Sequence, residues 1–158
     1  MGDAIRIKPH HFIDILRDVG AGRTDYQPHP YGHAVHSVAE RVLRERDVML
    51  EMELGADDIC EPCIHNVEGL CEDTIDTSFR PDAPTSKREY NLLIDQRWFA
   101  CLGLAQGDRL TARDFCQRLA ERMGDLTDIY RENPPERVAA RAEAVRAGVA
   151  LFLQGETR

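Results

Sequence analysis

The sequence has no long hydrophobic run. No stretch approaches the roughly 20 apolar residues that a helix needs to cross a bilayer. The first residues, MGDAIRIKPHH, carry charge and lack an apolar segment followed by small residues, so we expect no targeting leader and a soluble, cytoplasmic protein. Thiols stay reduced in the cytoplasm, and the cysteines number five, which is odd. A disulfide framework is therefore not expected.

Positive charge is missing from one region. Between Arg46 and Arg80 the sequence has no Lys or Arg but many acidic residues, and the whole chain carries a net charge of -8. This composition excludes a general nucleic-acid binder, because phosphate contacts need a basic surface, and it suggests no membrane partner. An acidic face suits a basic protein partner, although a solvated loop explains the same charge equally well.

Hydrophobic periodicity predicts a mostly helical α+β domain with a small two-stranded β element and a long cysteine-bearing loop. Alternation at Ile5 and Ile7, and again from Val48 to Leu54, predicts two strands that pair. Five helices are predicted, beginning near Pro9, at Pro30, after Ser86, after Thr111 and after Asn133. Residues 1–158 are expected to form a single domain, with a metal-site half at 1–80 and a helical half at 85–155.

Three cysteines lie close together in ADDICEPCIHNVEGLCEDT. Cys60 and Cys63 form a C-x-x-C pair whose thiolates can face one centre, and Cys71 can return a third ligand. Zinc needs four ligands and a cubane cluster needs one at each iron, so a fourth ligand must come from elsewhere. Metal binding is favoured over dithiol exchange, because Pro62 does not suit a redox helix and nearby acids raise the pKa of a thiol. The spacing does not choose between an iron–sulfur cluster and zinc.

Several residues are candidates for the fourth ligand. Cys101 is the first, since it lies close to the apolar stripe of the third predicted helix, and Cys116 is the second. Each of these two is also well explained as a small buried core residue. The candidates without sulfur are His10, His11, His65 and Asp14.

All six histidines precede Cys71 in the sequence. On a helix, His29, His33 and His36 would share one face with Glu40, opposite the apolar stripe. Such a face binds a metal or a substrate, lines a cleft, or is simply solvated. His33 and His36 are therefore candidate catalytic residues.

His10 and His11 follow Pro9 at a predicted strand-to-helix junction. Polar ligands bind at such places, near a helix N-terminus, so both histidines are candidates for acid–base catalysis. The structural alternative is a helix cap together with a buried, hydrogen-bonded imidazole.

Four segments carry a resemblance to a known family: IRIKPHHFIDIL, GAG, GADDIC with its C-x-x-C pair and later cysteine, and LGLAQGDRLT. Over roughly residues 5–114 the sequence resembles the domain of unknown function 1284 family, small proteins of bacteria and archaea to which iron–sulfur binding is ascribed. The resemblance implies an iron–sulfur site at Cys60, Cys63 and Cys71, with the segment at residues 9–11 close to it. It implies no particular activity.

One position departs from the pattern of this family. Many relatives place a cysteine where this chain has Asp14, in the turn after the two histidines. The resemblance therefore leaves three arrangements open: Asp14 ligates through oxygen, Cys101 substitutes, or one iron is open. An open iron would permit chemistry on a small-molecule substrate.

Two functions from different classes remain. The first is a redox protein that holds a cluster, most simply 4Fe-4S, by Cys60, Cys63, Cys71 and a fourth ligand, Cys101 being preferred, and passes electrons to a basic partner or assists a reductive reaction. The second is an interaction module in which the same residues hold structural zinc and have no redox role.

Overall fold

Five helices make up most of the molecule. The computed structural model describes residues 3–23 and 25–155. The helices are α1 (Pro9–Gly20), α2 (Val35–Arg44), α3 (Lys87–Leu102), α4 (Ala112–Arg122) and α5 (Pro135–Gln154). The strands are β1 (Ile5–Ile7), β2 (Met49–Met52), β3 (Asn66–Val67), β4 (Leu70–Cys71) and β5 (Arg109–Thr111). The predicted class, α+β and mostly helical, is confirmed.

Capping side chains set the beginnings of two helices, α3 and α4. The Ser86 hydroxyl accepts a hydrogen bond from the backbone N–H of Glu89 at 3.3 Å, and the Thr111 hydroxyl accepts one from Asp114 at 3.0 Å. Each bond satisfies a backbone N–H that the first helical turn leaves without a partner. Gly103 ends α3 at φ 67°, a left-handed conformation that glycine adopts without steric cost. These features confirm the predicted beginnings of α3 and α4 and the end of α3.

The main sheet has three strands, so the predicted two-stranded element is incomplete. β1 pairs in parallel with β2, placing Ile5 beside Leu50, and β2 pairs antiparallel with β5, placing Leu50 beside Leu110. β5 was not predicted because three residues with one buried apolar side chain show no alternation. A second, two-stranded sheet of β3 and β4 lies inside the predicted cysteine loop.

The second predicted helix begins later than expected. It was predicted from Pro30, but α2 begins at Val35. Gly32 has φ 75°, and its backbone N–H closes a turn on the His29 carbonyl at 2.8 Å, so the chain is not helical there. His29 and His33 therefore precede the helix, and the predicted helical face shared by three histidines is wrong.

The core forms where α1 packs against α4 and α5. The Phe12 ring forms edge-to-face contacts with Phe115 and Phe152 at centroid distances of 5.1 and 5.7 Å. Gly20 and Gly148 lie where the backbones of α1 and α5 touch, so there is no room for a Cβ atom at either position. In the described part of the chain, no helix combines the length and apolar character that crossing a membrane requires.

One largely buried ion pair holds α3 to the segment before α5. The Arg97 guanidinium donates to both carboxylate oxygens of Glu132, at 2.7 and 2.8 Å, and to the Ile129 carbonyl at 2.8 Å. The hydrogen bonds from Arg97 lower the pKa of Glu132, against the opposing effect of burial.

We expect Glu132→Gln to lower the free energy of unfolding by about 2 kcal/mol at pH 7. A lowered folded-state pKa contributes stability that is present above the unfolded pKa and is lost as pH falls through the folded pKa. The difference between the wild type and the variant should therefore shrink below about pH 4.5. Urea unfolding from pH 7 to pH 3 measures it. Glu143→Gln, an exposed change on α5, is the control, and a difference independent of pH would contradict the assignment.

Candidate metal centre

A cavity of about 270 Å³ lies between the β1–α1 junction, the cysteine segment and the N-terminal part of α3. Cys60, Cys63 and Cys71 all line it, together with His11 and His33. The structure therefore brings the three clustered cysteines to one place, next to two of the six histidines.

Two turns bring the cysteines together. The backbone N–H of Cys63 donates to the Cys60 carbonyl at 2.9 Å, which folds the C-x-x-C pair back on itself. Further along, the β3–β4 hairpin reverses the chain through Glu68 (φ 52°) and Gly69 (φ 84°). Positive φ at both central residues is typical of a two-residue hairpin turn. The hairpin thus returns Cys71 to the cavity that the first pair begins.

Asp57 joins the two halves of the site. Its side chain is fully buried, and one carboxylate oxygen accepts from the Lys8 backbone N–H and from His11 Nδ1, both at 2.7 Å. The other oxygen accepts from the backbone N–H groups of Ile59 and Cys60, at 3.1 and 3.0 Å. Burial alone would raise the pKa of Asp57, but the His11 charge and these hydrogen bonds outweigh it and hold the pKa far below its usual range.

His11 is presented as a metal ligand. Because Nδ1 is bonded to Asp57, Nε2 is the nitrogen that remains for a metal, which would bind it in the neutral imidazole. A carboxylate behind a histidine fixes the tautomer and the ring orientation in this way in many metal sites. His11, Asp57 and Cys60 offer ligand atoms that all lie within 4.8 Å of one another. Because the Asp57 oxygens already accept four hydrogen bonds, we assign Asp57 to positioning and His11 and Cys60 to binding.

The Cys60 thiol is a poor redox nucleophile without a metal. Burial, and then the charge of the neighbouring Asp57, raises the pKa of Cys60 to about 11. Because the thiolate is the reactive form, this environment opposes dithiol exchange. A bound cation reverses the preference, since it favours the deprotonated ligand.

Several polar atoms around the cavity have no partner in the described structure. His33 Nδ1 and Asn66 Oδ1 are buried, line the cavity through their residues and make no hydrogen bond. Such atoms cost free energy unless water, an ion or a ligand group satisfies them. Their presence beside the cysteines is consistent with a cavity that holds a bound group.

Basic residues line the cavity despite the acidity of the cysteine segment. They are Lys8, which is 5% exposed, and Lys87 and Arg88 at the start of α3. Positive charge next to a thiolate group offsets the negative charge of the sulfurs. The segment that is acidic in sequence lines the cavity with its cysteines and apolar residues, and none of its acidic residues is among the described lining residues.

His10 is a buried, hydrogen-bonded histidine at the start of α1, which is the structural alternative to a catalytic role. It is buried, its Nδ1 lies 2.8 Å from an Asp95 carboxylate oxygen, and its backbone N–H donates to the other oxygen at 2.8 Å. Burial would lower the pKa of His10, but the Asp95 charge and hydrogen bond raise it instead. His10 does not line the cavity, and it fixes the start of α1 to α3.

The preferred fourth ligand, Cys101, lies away from the cavity. Its thiol donates to the Arg122 carbonyl at 3.1 Å, and it is ten residues along α3 from Asn91, about 15 Å at the helical rise. Cys116 is fully buried in the core, and burial raises the pKa of its thiol. Asp14 pairs with Arg141 at 2.8 Å. The structure thus argues against all three as ligands, because their positions and partners keep them from the cavity.

The remaining histidines do not form one face. The His29 ring stacks on His33 at 4.4 Å, and the Tyr31 ring meets His65 at 4.3 Å. His65 Nδ1 is 3.5 Å from a Glu72 oxygen, and His65 is not a lining residue. His36 also lies outside the lining, and its buried Nδ1 has no hydrogen-bond partner in the described structure.

Two residues of the site were not predicted. Asp57 stood among the acids of the segment and in the GADDIC element of the resemblance without a role of its own, and Lys8 was not singled out. The only local indication for Asp57 is its place three residues before Cys60, where a carboxylate accepts from backbone N–H groups of the following turn. Its pairing with His11 spans 46 residues of sequence, which no local pattern indicates.

No family model, no curated protein and no solved structure matches this chain. The resemblance to the domain of unknown function 1284 family stays a prediction.

Proposed function

We propose that the cavity holds an iron–sulfur cluster, most simply 4Fe-4S, and that the protein carries out one-electron redox chemistry. The proposed ligands are the thiolates of Cys60, Cys63 and Cys71 and the Nε2 atom of His11. The observation that carries the proposal is that all three cysteines of the segment and a carboxylate-oriented histidine line one cavity.

The spacing of the donors supports a group larger than one ion. In a tetrahedral zinc site with bonds of about 2.3 Å, neighbouring ligand atoms lie about 3.8 Å apart. Among described residues, the one group of three or more donors within 4.8 Å is His11, Asp57 and Cys60. Cys63 and Cys71 lie outside that group but line the same 270 Å³ cavity, and a cubane, unlike a single ion, takes its ligands at four separate irons.

The charges of the wall support a redox role. A cluster, when bound, supplies the electron-accepting centre, and its potential depends on nearby charge and on burial. Lys8, Lys87 and Arg88 offset the negative thiolates, while the acidic segment around them offers a surface for a basic protein partner. His33, with its unsatisfied Nδ1, is the histidine best placed to hold a small substrate or to move a proton at the cavity.

Structural zinc is the second candidate. The closeness of His11 and Cys60 favours it, because a ring nitrogen of His11, the Cys60 sulfur and an Asp57 oxygen lie within 4.8 Å of one another. Two further sulfurs would then need to move inward by rearrangement of the β3–β4 hairpin and the C-x-x-C turn.

Anaerobic purification with iron, zinc and acid-labile sulfide analysis tests the proposal. The wild type should contain iron and sulfide and show broad visible absorption that bleaches with dithionite. Cys71→Ser should lose most of the iron, because it removes a ligand. Cys101→Ser is the matched control and should keep full iron content, since that thiol lies away from the cavity.

Three possible results decide between the iron–sulfur and zinc hypotheses or reject both. A colourless protein with one zinc per chain that Cys71→Ser loses would establish the zinc module and reject the cluster. Equal metal content in Cys71→Ser and the wild type would reject the cavity as a metal centre. Loss of iron in Cys101→Ser would show that the ligand set is wrong.

A further inference from the structure

A second cavity, of about 360 Å³, lies between the C-terminal part of α1, the segment before α3 and the N-terminal half of α5. Four arginines line it, and none of the described residues that line it is acidic. The arginines are Arg17, Arg80, Arg137 and Arg141. So much positive charge in one place is unexpected in a chain with a net charge of -8.

Two of the four arginines are already paired. Asp14 accepts from Arg141 at 2.8 Å and lies 3.4 Å from an Arg17 nitrogen, and Arg17 also pairs with Asp18. The Arg141 guanidinium lies over the Tyr130 ring, 4.6 Å from its centroid. This pair therefore forms a fixed wall of the cavity.

The other two arginines form no ion pair with any carboxylate in residues 3–23 and 25–155. Arg80 and Arg137 both lie over the Phe79 ring, at 4.6 and 3.8 Å from its centroid. Asp76, the acid whose charge is close to both, instead accepts a hydrogen bond from the Ser78 backbone N–H at 2.8 Å. Arg80 Nε donates to the backbone carbonyl of Asp76 at 2.8 Å, so the terminal nitrogens of Arg80 and the guanidinium of Arg137 remain for a ligand.

We propose that this second cavity binds a small phosphate-bearing molecule, with Arg80 and Arg137 as the anchors of the phosphate. A phosphate monoester carries close to two negative charges at pH 7, which matches two guanidinium groups that no carboxylate pairs in the described residues, and its oxygens suit bidentate donation from arginine. The alanine residues of the lining, Ala21, Ala140 and Ala144, offer apolar contact to the organic part of the ligand. The volume of the cavity falls in the range of small-molecule sites.

Isothermal titration of the purified protein with phenyl phosphate tests the proposal. We expect saturable one-to-one binding that the double variant Arg80→Gln/Arg137→Gln weakens by at least about tenfold, because it removes charge-assisted hydrogen bonds. Arg146→Gln is the matched control on α5, since it changes the same charge outside the cavity and should bind like the wild type. Benzoate, with one charge, should bind at least about tenfold more weakly than phenyl phosphate.

A further variant covers the case in which the double variant does not fold. Arg137→Lys keeps the charge and should weaken phenyl phosphate binding several-fold, because an ammonium group cannot bind in a bidentate manner. The proposal is wrong if the wild type does not bind, if Arg137→Lys or the folded double variant binds equally well, or if benzoate matches phenyl phosphate. Tighter binding of a Glu-rich peptide than of phenyl phosphate would identify a protein interface instead and would also overturn it.

Discussion

Asp57→Asn is expected to lower the free energy of unfolding of the metal-free protein by about 3 kcal/mol. The carboxylate accepts four hydrogen bonds in a fully buried position. An amide can accept at its oxygen but presents N–H groups to the other two donors, and buried donors left without a partner cost about 1 to 3 kcal/mol each. Urea unfolding of the metal-free variant measures the change.

The same substitution should weaken metal binding about 10- to 100-fold, as the loss of an outer carboxylate partner does in other histidine sites. The His11 ring would lose the acceptor that fixes its tautomer. Glu61→Gln is the control, because Glu61 is an exposed acid between the two cysteines of the C-x-x-C pair. Full stability and full metal affinity in Asp57→Asn would remove the basis for assigning His11 as a ligand.

Asp57 also explains why the site forms where it does. Its carboxylate ties the end of β1 and the start of α1 to the turn that holds Cys60. His10, the neighbour of His11, is tied to Asp95 on α3 in the same manner. Two buried carboxylates thus hold two consecutive histidines, one facing the cavity and one fixing α1 against the core. The fold sets the geometry of the site before any group binds.

The helices with strong local markers were predictable from the sequence. The Ser86 and Thr111 caps, Pro9 near the start of α1 and Gly103 after α3 all act within a few residues, so their effect can be read locally. α2 was misplaced because the apolar stripe continued through Gly32, whose left-handed φ ends helical geometry there. The hydrophobic periodicity thus misplaced the start of α2, because the backbone conformation of a single residue prevents a helix there.

The candidate site was predictable only in part. The C-x-x-C pair and Cys71 were expected to converge on one centre, and all three line one cavity. His11 was among the alternatives, but Cys101 was preferred. Its place close to an apolar stripe indicated that Cys101 is buried, but it could not indicate which site the thiol would face. The choice between them depends on tertiary contacts across 46 residues, such as that between His11 and Asp57, which single-sequence patterns do not contain.

Gly148→Ala is expected to destabilise the protein by about 3 kcal/mol, or to lower Tm by about 10 °C. Helix propensity alone predicts the opposite sign, since alanine is better than glycine in a helix interior by about 1 kcal/mol. The added Cβ would clash with the backbone carbonyl of Leu16, which cannot move without separating α1 from α5. Thermal unfolding of the variant therefore decides between packing and propensity.

α1 packs against α5 and also contributes a residue to each of the two cavities. α1 carries His11 of the candidate metal centre near its start and Arg17 of the second cavity nearer its end. Separation of α1 from α5 should therefore lower iron content and phenyl phosphate affinity together, in Gly148→Ala protein that is still folded at low temperature. Ala147→Gly, at an exposed neighbouring position, should cost only the propensity of about 1 kcal/mol and leave both kinds of binding intact. A Gly148→Ala variant more stable than the wild type would contradict the close approach of α1 and α5. It would also contradict the idea that this helix contact positions His11 and Arg17.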